Sequence, residues 1–158
     1  MSNSLTMDSP LGPLTITASP PFITGVIIGP GPTSRPNSGE SGELLQRATR
    51  QLEEYFAGAR TVFDLPIQCA GTEFQQSIWR ELANIPYGTS VTYQELGNTV
   101  GVPQGARAVG GAVGKNPVPI IVPCHRVLGA GHKITGYSGG EGIPTKEKLL
   151  ALEGISFR

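Results

Sequence analysis

A chain of 158 residues, 38% hydrophobic and 15% charged, has room for one ordinary domain or two small ones sharing an interface. Its formal net charge is zero, and its only cysteines and histidines are Cys69, Cys124, His125 and His132. These counts argue against a disulfide-stapled secreted scaffold, a Cys/His metal cluster and a uniformly basic protein that coats nucleic acid. The charge is uneven along the chain: residues 1–86 carry five Lys/Arg against eight Asp/Glu, and residues 87–158 carry seven against four. Such a split is compatible with a binding face confined to the second half, although scatter of this size is also ordinary.

Residues 1–20 have no basic region followed by an apolar core, so no signal peptide is expected. The apolar stretch Phe22–Ile28 is too short to span a bilayer, and a soluble, cytoplasmic protein is expected. Leu14–Ala18 and Phe22–Ile28 read as strands joined at Ser19-Pro20-Pro21. Residues 29–43, rich in Gly, Pro and Ser, read as a flexible loop. Leu44, Ala48, Leu52 and Phe56 recur at helical spacing, predicting a helix over 44–57 that Gly58 stops. Arg60–Ile67 reads as a strand or an extended linker, and residues 1–70 form an N-terminal domain.

Residues 71–158 read as a second, mostly helical domain. Thr72 with Gln75, and Thr92 with Glu95, have the spacing of capping boxes, each opening a helix. The first carries Phe74, Ile78 and Leu82 and ends before Pro86; the second is short and stops at Gly101. After a turn at Val102-Pro103, a third helix is predicted over 104–113, which makes a helix-turn-helix. That third helix is nearly all small residues with one arginine, Arg107. Internal glycines cost up to about 1 kcal/mol each relative to alanine, so something must compensate. A helix lying in a narrow groove with one cation projecting satisfies this; so does a tightly packed core helix with Arg107 snorkelling to solvent. A last helix, capped by Thr145 and carrying Leu149, Leu150 and Leu152, ends at Gly154.

The run Pro119-Ile120-Ile121-Val122-Pro123-Cys124-His125-Arg126-Val127 carries the chemistry. Pro123 fixes the backbone entering Cys124, with an imidazole and a guanidinium next in sequence. A thiol reacts as its thiolate, and nearby cationic or basic groups favour that form. Cysteine after an apolar stretch is more often a small buried hydrophobe. Neighbours on an extended chain also face opposite ways, so Cys124 and His125 need a tight turn or a bridging water to cooperate.

Residues 70–154 resemble, in order, the O6-alkylguanine-DNA alkyltransferases. The resemblance is carried by Thr72–Trp79, Ile85-Pro86-Tyr87-Gly88, Thr92–Leu96, Ala106–Gly110, Asn116–Ile120, Pro123–Val127, Gly136–Gly140 and Leu149–Gly154. The match over the N-terminal third is looser, through Glu54–Gly58. The resemblance implies an α+β protein: a ribonuclease H-like αβ domain, then a helical domain with a winged helix-turn-helix. It implies irreversible, single-turnover transfer of an alkyl group from O6-alkylguanine, and from O4-alkylthymine, to Cys124 after the base is flipped. The implied partner is double-stranded DNA carrying the lesion, bound by a monomer, without cofactor, metal or membrane. His125 then deprotonates Cys124 through a water, Glu153 fixes the imidazole tautomer, and Asn116 ties the active-site turn together. Tyr93 protonates the departing guanine, Arg107 fills the space it leaves, and Ser138 and Tyr137 contact the base. Ala106 and Gly110 are assigned to DNA binding on the same helix.

Two departures are visible. Gly140–Pro144 is slightly longer than the usual spacing, at the rim of the implied pocket. The N-terminal part holds one cysteine and no histidine, so the zinc site of some members is not expected; Cys69 reads as a bystander and His132 as exposed. Other functions fit less well. A lesion-flagging relative lacks the acceptor cysteine. A cysteine hydrolase needs an oxyanion hole, which is not legible. A regulator that reads bases directly needs more donors than Gln104 and Arg107 on its recognition helix.

Overall fold

The computed structural model describes residues 3–31 and 39–158. The chain divides into two compact units, residues 1–70 and 71–158, and is a mixed α+β protein.

In the first unit, strands β1 (Asn3–Met7), β2 (Leu14–Ser19) and β3 (Phe22–Ile28) form an antiparallel sheet in that order. β1 escaped the sequence reading because Asn3-Ser4-Leu5-Thr6 lacks an apolar alternation; its place is set by pairing with Leu14–Ala18 of β2. Leu14, Ile16 and Ala18 alternate onto one fully buried face of β2. Helix α1 (Gly39–Phe56) packs on the sheet, burying Leu45, Ala48, Leu52 and Tyr55. It begins earlier than expected. Of the loop assigned to 29–43, Gly39–Glu43 is helical, and residues 32–38 lie outside the described residues. Arg60–Ile67 is irregular rather than a strand, but the chain returns at Ile67 to run parallel to β3: Ile23 N–H donates to Pro66 O (2.7 Å) and Gln68 N–H to Ile23 O (3.0 Å).

The second unit is built on helices α2 (Glu73–Ala83), α3 (Tyr93–Thr99), α4 (Ala106–Gly114) and α5 (Ile143–Leu152), with the short parallel pair β4 (Val91–Thr92) and β5 (Val127–Leu128). Both capping boxes are formed. Thr72 Oγ1 accepts from Gln75 N–H at 3.1 Å, and Thr92 Oγ1 from Glu95 N–H at 3.1 Å, each with the reciprocal side-chain bond. α2 buries Ile78, Trp79 and Leu82, and Trp79 Nε1 donates to Ala112 O (2.9 Å), fastening α4 to α2. α5 starts two residues before its expected cap. Pro144 occupies its first turn, while the Thr145 hydroxyl is buried inside the helix and accepts from Glu141 N–H (2.9 Å).

α3 and α4 are joined by a turn in which Gly101 takes φ 83° and Val102 N–H donates to Gly97 O (2.8 Å). The turn folds back so closely that a Cβ on Gly97 would lie 2.9 Å from Val102 O. Gly97→Ala should therefore destabilise the unit by about 1–3 kcal/mol, despite alanine's better helix propensity. Urea unfolding of the variant checks this; a gain in stability would mean that the turn is not held as described.

Candidate active site

The segment before Cys124 is a knot of tight turns, not an extended strand. Val122 N–H donates to Val118 O (2.9 Å), and Ile120, fully buried, is held at φ 75°. Pro123 (φ −81°, ψ 67°) sits at the centre of an inverse γ-turn closed by Cys124 N–H donating to Val122 O (2.8 Å). Asn116 holds the loop from inside: its Nδ2 donates to Val122 O (2.8 Å), and its Oδ1 accepts from Val118 N–H (3.0 Å). Cys124–Arg126 then forms one 3₁₀ turn leading into β5, and that turn carries Cys124, His125 and Arg126.

His125 and Arg126 both turn towards Glu153, just beyond the end of α5. His125 Nε2 lies 2.6 Å from Glu153 Oε2, and both side chains are wholly buried. Arg126 grips the same carboxylate bidentately, Nε to Oε1 at 2.8 Å and Nη2 to Oε2 at 3.0 Å, and its Nη1 donates to Ile85 O at 2.6 Å. Gly88, at φ 79°, donates its N–H to Glu153 Oε1 (3.2 Å), and Arg126 lies over the Tyr87 ring at 5.7 Å. With Nε2–H given to the carboxylate, His125 Nδ1 keeps its lone pair and makes no hydrogen bond to a protein atom. Burial pulls the His125 pKa down, against the hydrogen bond and charge of Glu153 and with help from Arg126 and Lys146.

Cys124 is 6% exposed and forms part of the wall of a cavity of about 330 Å³. Around it stand Tyr93 from α3, Gly110, Val113 and Gly114 from α4, and Gly136, Tyr137 and Ser138 from the loop before α5. Burial pushes the thiol pKa up. Hydrogen bonds from Asn116 and Tyr137, the charge of Lys146 and its own backbone N–H oppose that rise. Ser138 Oγ donates to Gly114 O (2.9 Å), joining the loop to the end of α4, and Thr135 Oγ1 lies 3.4 Å from Tyr93 Oη. α4 buries Val109, Ala112 and Val113 and exposes Ala106 and Arg107, so it is a surface helix with a free small-residue face, not a core helix.

Cys124, Tyr93, Tyr137, Ser138 and Gly110 thus meet at one cavity, and Asn116 braces its cysteine. His125 and Glu153 form a buried pair on the same turn. Ala106 and Arg107 lie outside the cavity at the exposed start of α4. Cys69 is half-buried, its pKa raised by burial, and His132 is exposed. The sequence reading missed the shared grip of Arg126 on Glu153, the place of Thr135 beside Tyr93, and Lys146. The signal for Lys146 was present: it stands three and four positions before Leu149 and Leu150, on the apolar stripe of α5.

Glu153→Gln removes the counter-charge of a guanidinium that is itself buried. A loss of about 3–5 kcal/mol is expected in urea unfolding, with part of it recovered when Arg126→Met is added. Equal stability of Glu153→Gln and the parent would show that the carboxylate does not hold this turn.

Residues 5–69 match the family described as 6-O-methylguanine DNA methyltransferase, ribonuclease-like domain, and residues 73–155 match its DNA binding domain. Among curated relatives, the methylated-DNA–protein-cysteine methyltransferase of Mycolicibacterium paratuberculosis is 45% identical over 94% of this chain and 90% of its own. That of Methanosarcina acetivorans is 45% identical over 93% and 95%. The crystal structure of the Mycobacterium tuberculosis O6-methylguanine methyltransferase superposes with a TM-score of 0.84 at 43% identity, covering 97% of this chain and 93% of that one. The structure of Mycobacterium tuberculosis OGT in complex with DNA gives 0.82 at 47% identity, covering 94% and 90%. With both halves matched, and Cys124 lining one cavity with residues of a short surface helix, the chain belongs to the methylated-DNA–protein-cysteine methyltransferase family.

Proposed function

We propose that this protein repairs DNA by direct reversal, moving the alkyl group of O6-alkylguanine, and of O4-alkylthymine, irreversibly onto Cys124. The observation that carries this assignment is the cavity: Cys124 is part of its wall, and the exposed helix α4 forms one side of it. A base inside a duplex cannot reach a protein thiol, so the lesion leaves the stack and enters the cavity. The Sγ lone pair attacks the alkyl carbon, the S–C bond forms and the C–O6 bond breaks, leaving guanine as an anion. The thioether has no route back, so each molecule acts once.

The proton balance uses residues already placed. Neutral His125 takes the thiol proton at Nδ1 through a bridging water, and Glu153 at Nε2 stabilises the cation that forms. The Tyr93 hydroxyl, at the cavity wall, supplies a proton to N3 of the leaving guanine. Asn116 orients the thiol, while Ser138 and the backbone beside Tyr137 meet the base at O6. Arg107 enters the duplex from the minor groove and occupies the space of the extruded base, and Ala106 and Gly110 let the α4 backbone approach the strand. The Mycobacterium tuberculosis complex with DNA supports a DNA partner. The protein acts as a monomer, inside the cell where its DNA lies. Among the described residues no helix is long and apolar enough to cross a membrane.

Cys124→Ala should abolish transfer from an O6-methylguanine duplex while leaving duplex affinity within a few-fold of the parent. Intact-protein mass checks the first point and a gel-shift titration the second. A methyl group still gained by the variant would overturn the acceptor assignment.

Arg107→Ala should slow repair of duplex DNA at least about tenfold, yet leave reaction with free O6-benzylguanine nearly unchanged, because the free base needs no extrusion. Equal losses on the two substrates, followed by the rate of mass gain, would remove Arg107 from the extrusion step.

A further inference from the structure

An oxygen that gives up a proton needs a donor beside it, and Tyr93 has one that the transfer to Cys124 has not yet used. Among the described residues, Thr135 is the protein group that hydrogen-bonds to the Tyr93 hydroxyl, Oγ1 donating to Oη at 3.4 Å. The pair is held from both sides. Tyr93 opens α3 directly after its capping residue Thr92, and its ring lies beside Gly110 of α4, where a Cβ would come to 3.8 Å. Thr135 follows Ile134, which packs against the buried Leu128, Leu150 and Ile155 and whose N–H donates to Arg158 O (2.9 Å). The Thr135 methyl group sits over Gly129: a Cβ there would lie 2.9 Å from Cγ2, and the Gly129 N–H is itself tied to Lys133 O (2.8 Å). With backbone and methyl group both placed, this β-branched side chain has its hydroxyl direction fixed as well, towards Tyr93.

The direction of this hydrogen bond matters. Thr135 donates, so the Tyr93 proton is not spent on the loop and stays available to the base. In the transfer the S–C bond forms, the C–O6 electron pair stays on guanine and the Oη proton passes to N3. A phenolate is left at Tyr93, which regains a proton from solvent, and Thr135 keeps its own. The bond is long while Tyr93 is neutral, and a donor to an oxygen that gains charge draws in and strengthens. That gain arises only as the proton leaves, which is the condition for it to speed the step rather than merely hold the ring. We propose that Thr135 is a positioning residue acting through Tyr93: its hydroxyl leaves the Tyr93 proton aimed at the departing guanine and stabilises the oxygen left behind. The role rests on Tyr93 being the proton donor and Cys124 the acceptor.

A residue that only shaped the cavity wall would matter whatever group leaves, and the test uses that difference. In a Cys69→Ser background Cys124 is the only thiol. Benzyl gain from free O6-benzylguanine is timed by intact mass for the parent, Thr135→Val, Thr135→Ser, Tyr93→Phe and the Tyr93→Phe, Thr135→Val double variant. Modification of Cys124 by iodoacetamide is timed in the same proteins, because iodide leaves without a proton. Thr135→Val should slow benzyl transfer about tenfold, and Thr135→Ser, which keeps the hydroxyl, should stay within about threefold of the parent. Once Tyr93 is Phe, Thr135→Val should add less than about a twofold loss, since the two act as one unit. Iodoacetamide rates should stay close to the parent's throughout. A parent-like benzyl rate in Thr135→Val, an undiminished loss in the Tyr93→Phe background, or an equal loss with iodoacetamide would overturn the proposal. Should Thr135→Val fail to fold in urea titration, Thr135→Ala takes its place in the same comparisons. A parent rate in Tyr93→Phe would remove Tyr93 as the donor, and a parent that gains no benzyl group on Cys124 would remove the acceptor. Either result takes the proposal with it, and each is read apart from a failure of Thr135 alone.

Discussion

The Glu153 carboxylate is wholly buried and accepts hydrogen bonds from His125 Nε2, from Nε and Nη2 of Arg126 and from the Gly88 backbone. A buried carboxylate survives only with its charge matched and its lone pairs occupied. Here the match joins three segments distant in sequence: the turn after α2, the Cys124–Arg126 turn and the end of α5. The position of Cys124 follows from it. His125 and Arg126 reach one carboxylate from adjacent positions only if the backbone is curled, and the 3₁₀ turn that curls it directs the Cys124 side chain to the cavity. The single arginine therefore bonds to both carboxylate oxygens, one of which also meets the imidazole.

The approach to that turn is strained, and the strain has a visible restraint. Ile120 is β-branched and sits in the left-handed region, a conformation that costs on the order of 1–3 kcal/mol and persists where its surroundings over-determine it. Its surroundings do. The side chain is fully buried, Val118 and Val122 are bonded to each other on either side, and Asn116 bonds to both. Asn116 is thus a backbone clamp as well as a neighbour of the sulfur, and the same side chain sets the geometry of the loop and donates to the thiol.

Local signals in the chain were legible where the physics is local. The two capping boxes, the glycine stop of the turn between α3 and α4, and the amphipathic α1 follow from residues within a few positions of one another. The acceptor turn was legible through the resemblance of Pro123–Val127 and its neighbours, not through periodicity. Features set by tertiary pairing were hidden. β1 has no alternation of its own and exists through its register with β2. Thr145 has the residue type of a helix cap, but Pro144 and the tight bend at Gly142 start α5 earlier and leave its hydroxyl inside. Pro123 marked a fixed backbone entering Cys124, but the turns before it are set by Asn116, whose side chain bonds to Val118 and Val122 and so could not be read from local sequence.

Burial and reactivity pull in opposite directions at Cys124, and the site resolves the conflict by choice of neighbours. Taking the thiol out of water raises its pKa, which by itself would leave an inert buried cysteine. Taking the thiolate out of water also strips the hydration shell that blunts it as a nucleophile, so a buried thiolate is the more reactive species if it can be formed. Donors and a cation therefore have to be buried with it, and each must be fixed beforehand, since a small cavity has no room for reorganisation. Asn116 is held by its two bonds to the loop, and Lys146 by its bond to the Val127 carbonyl. The small residues of α4 complete this economy. Glycine at 110 lies where a Cβ would come to 3.8 Å from the Tyr93 ring at the cavity wall, and the helix recovers the lost propensity through Val109, Ala112, Val113 and the Trp79 bond to its backbone.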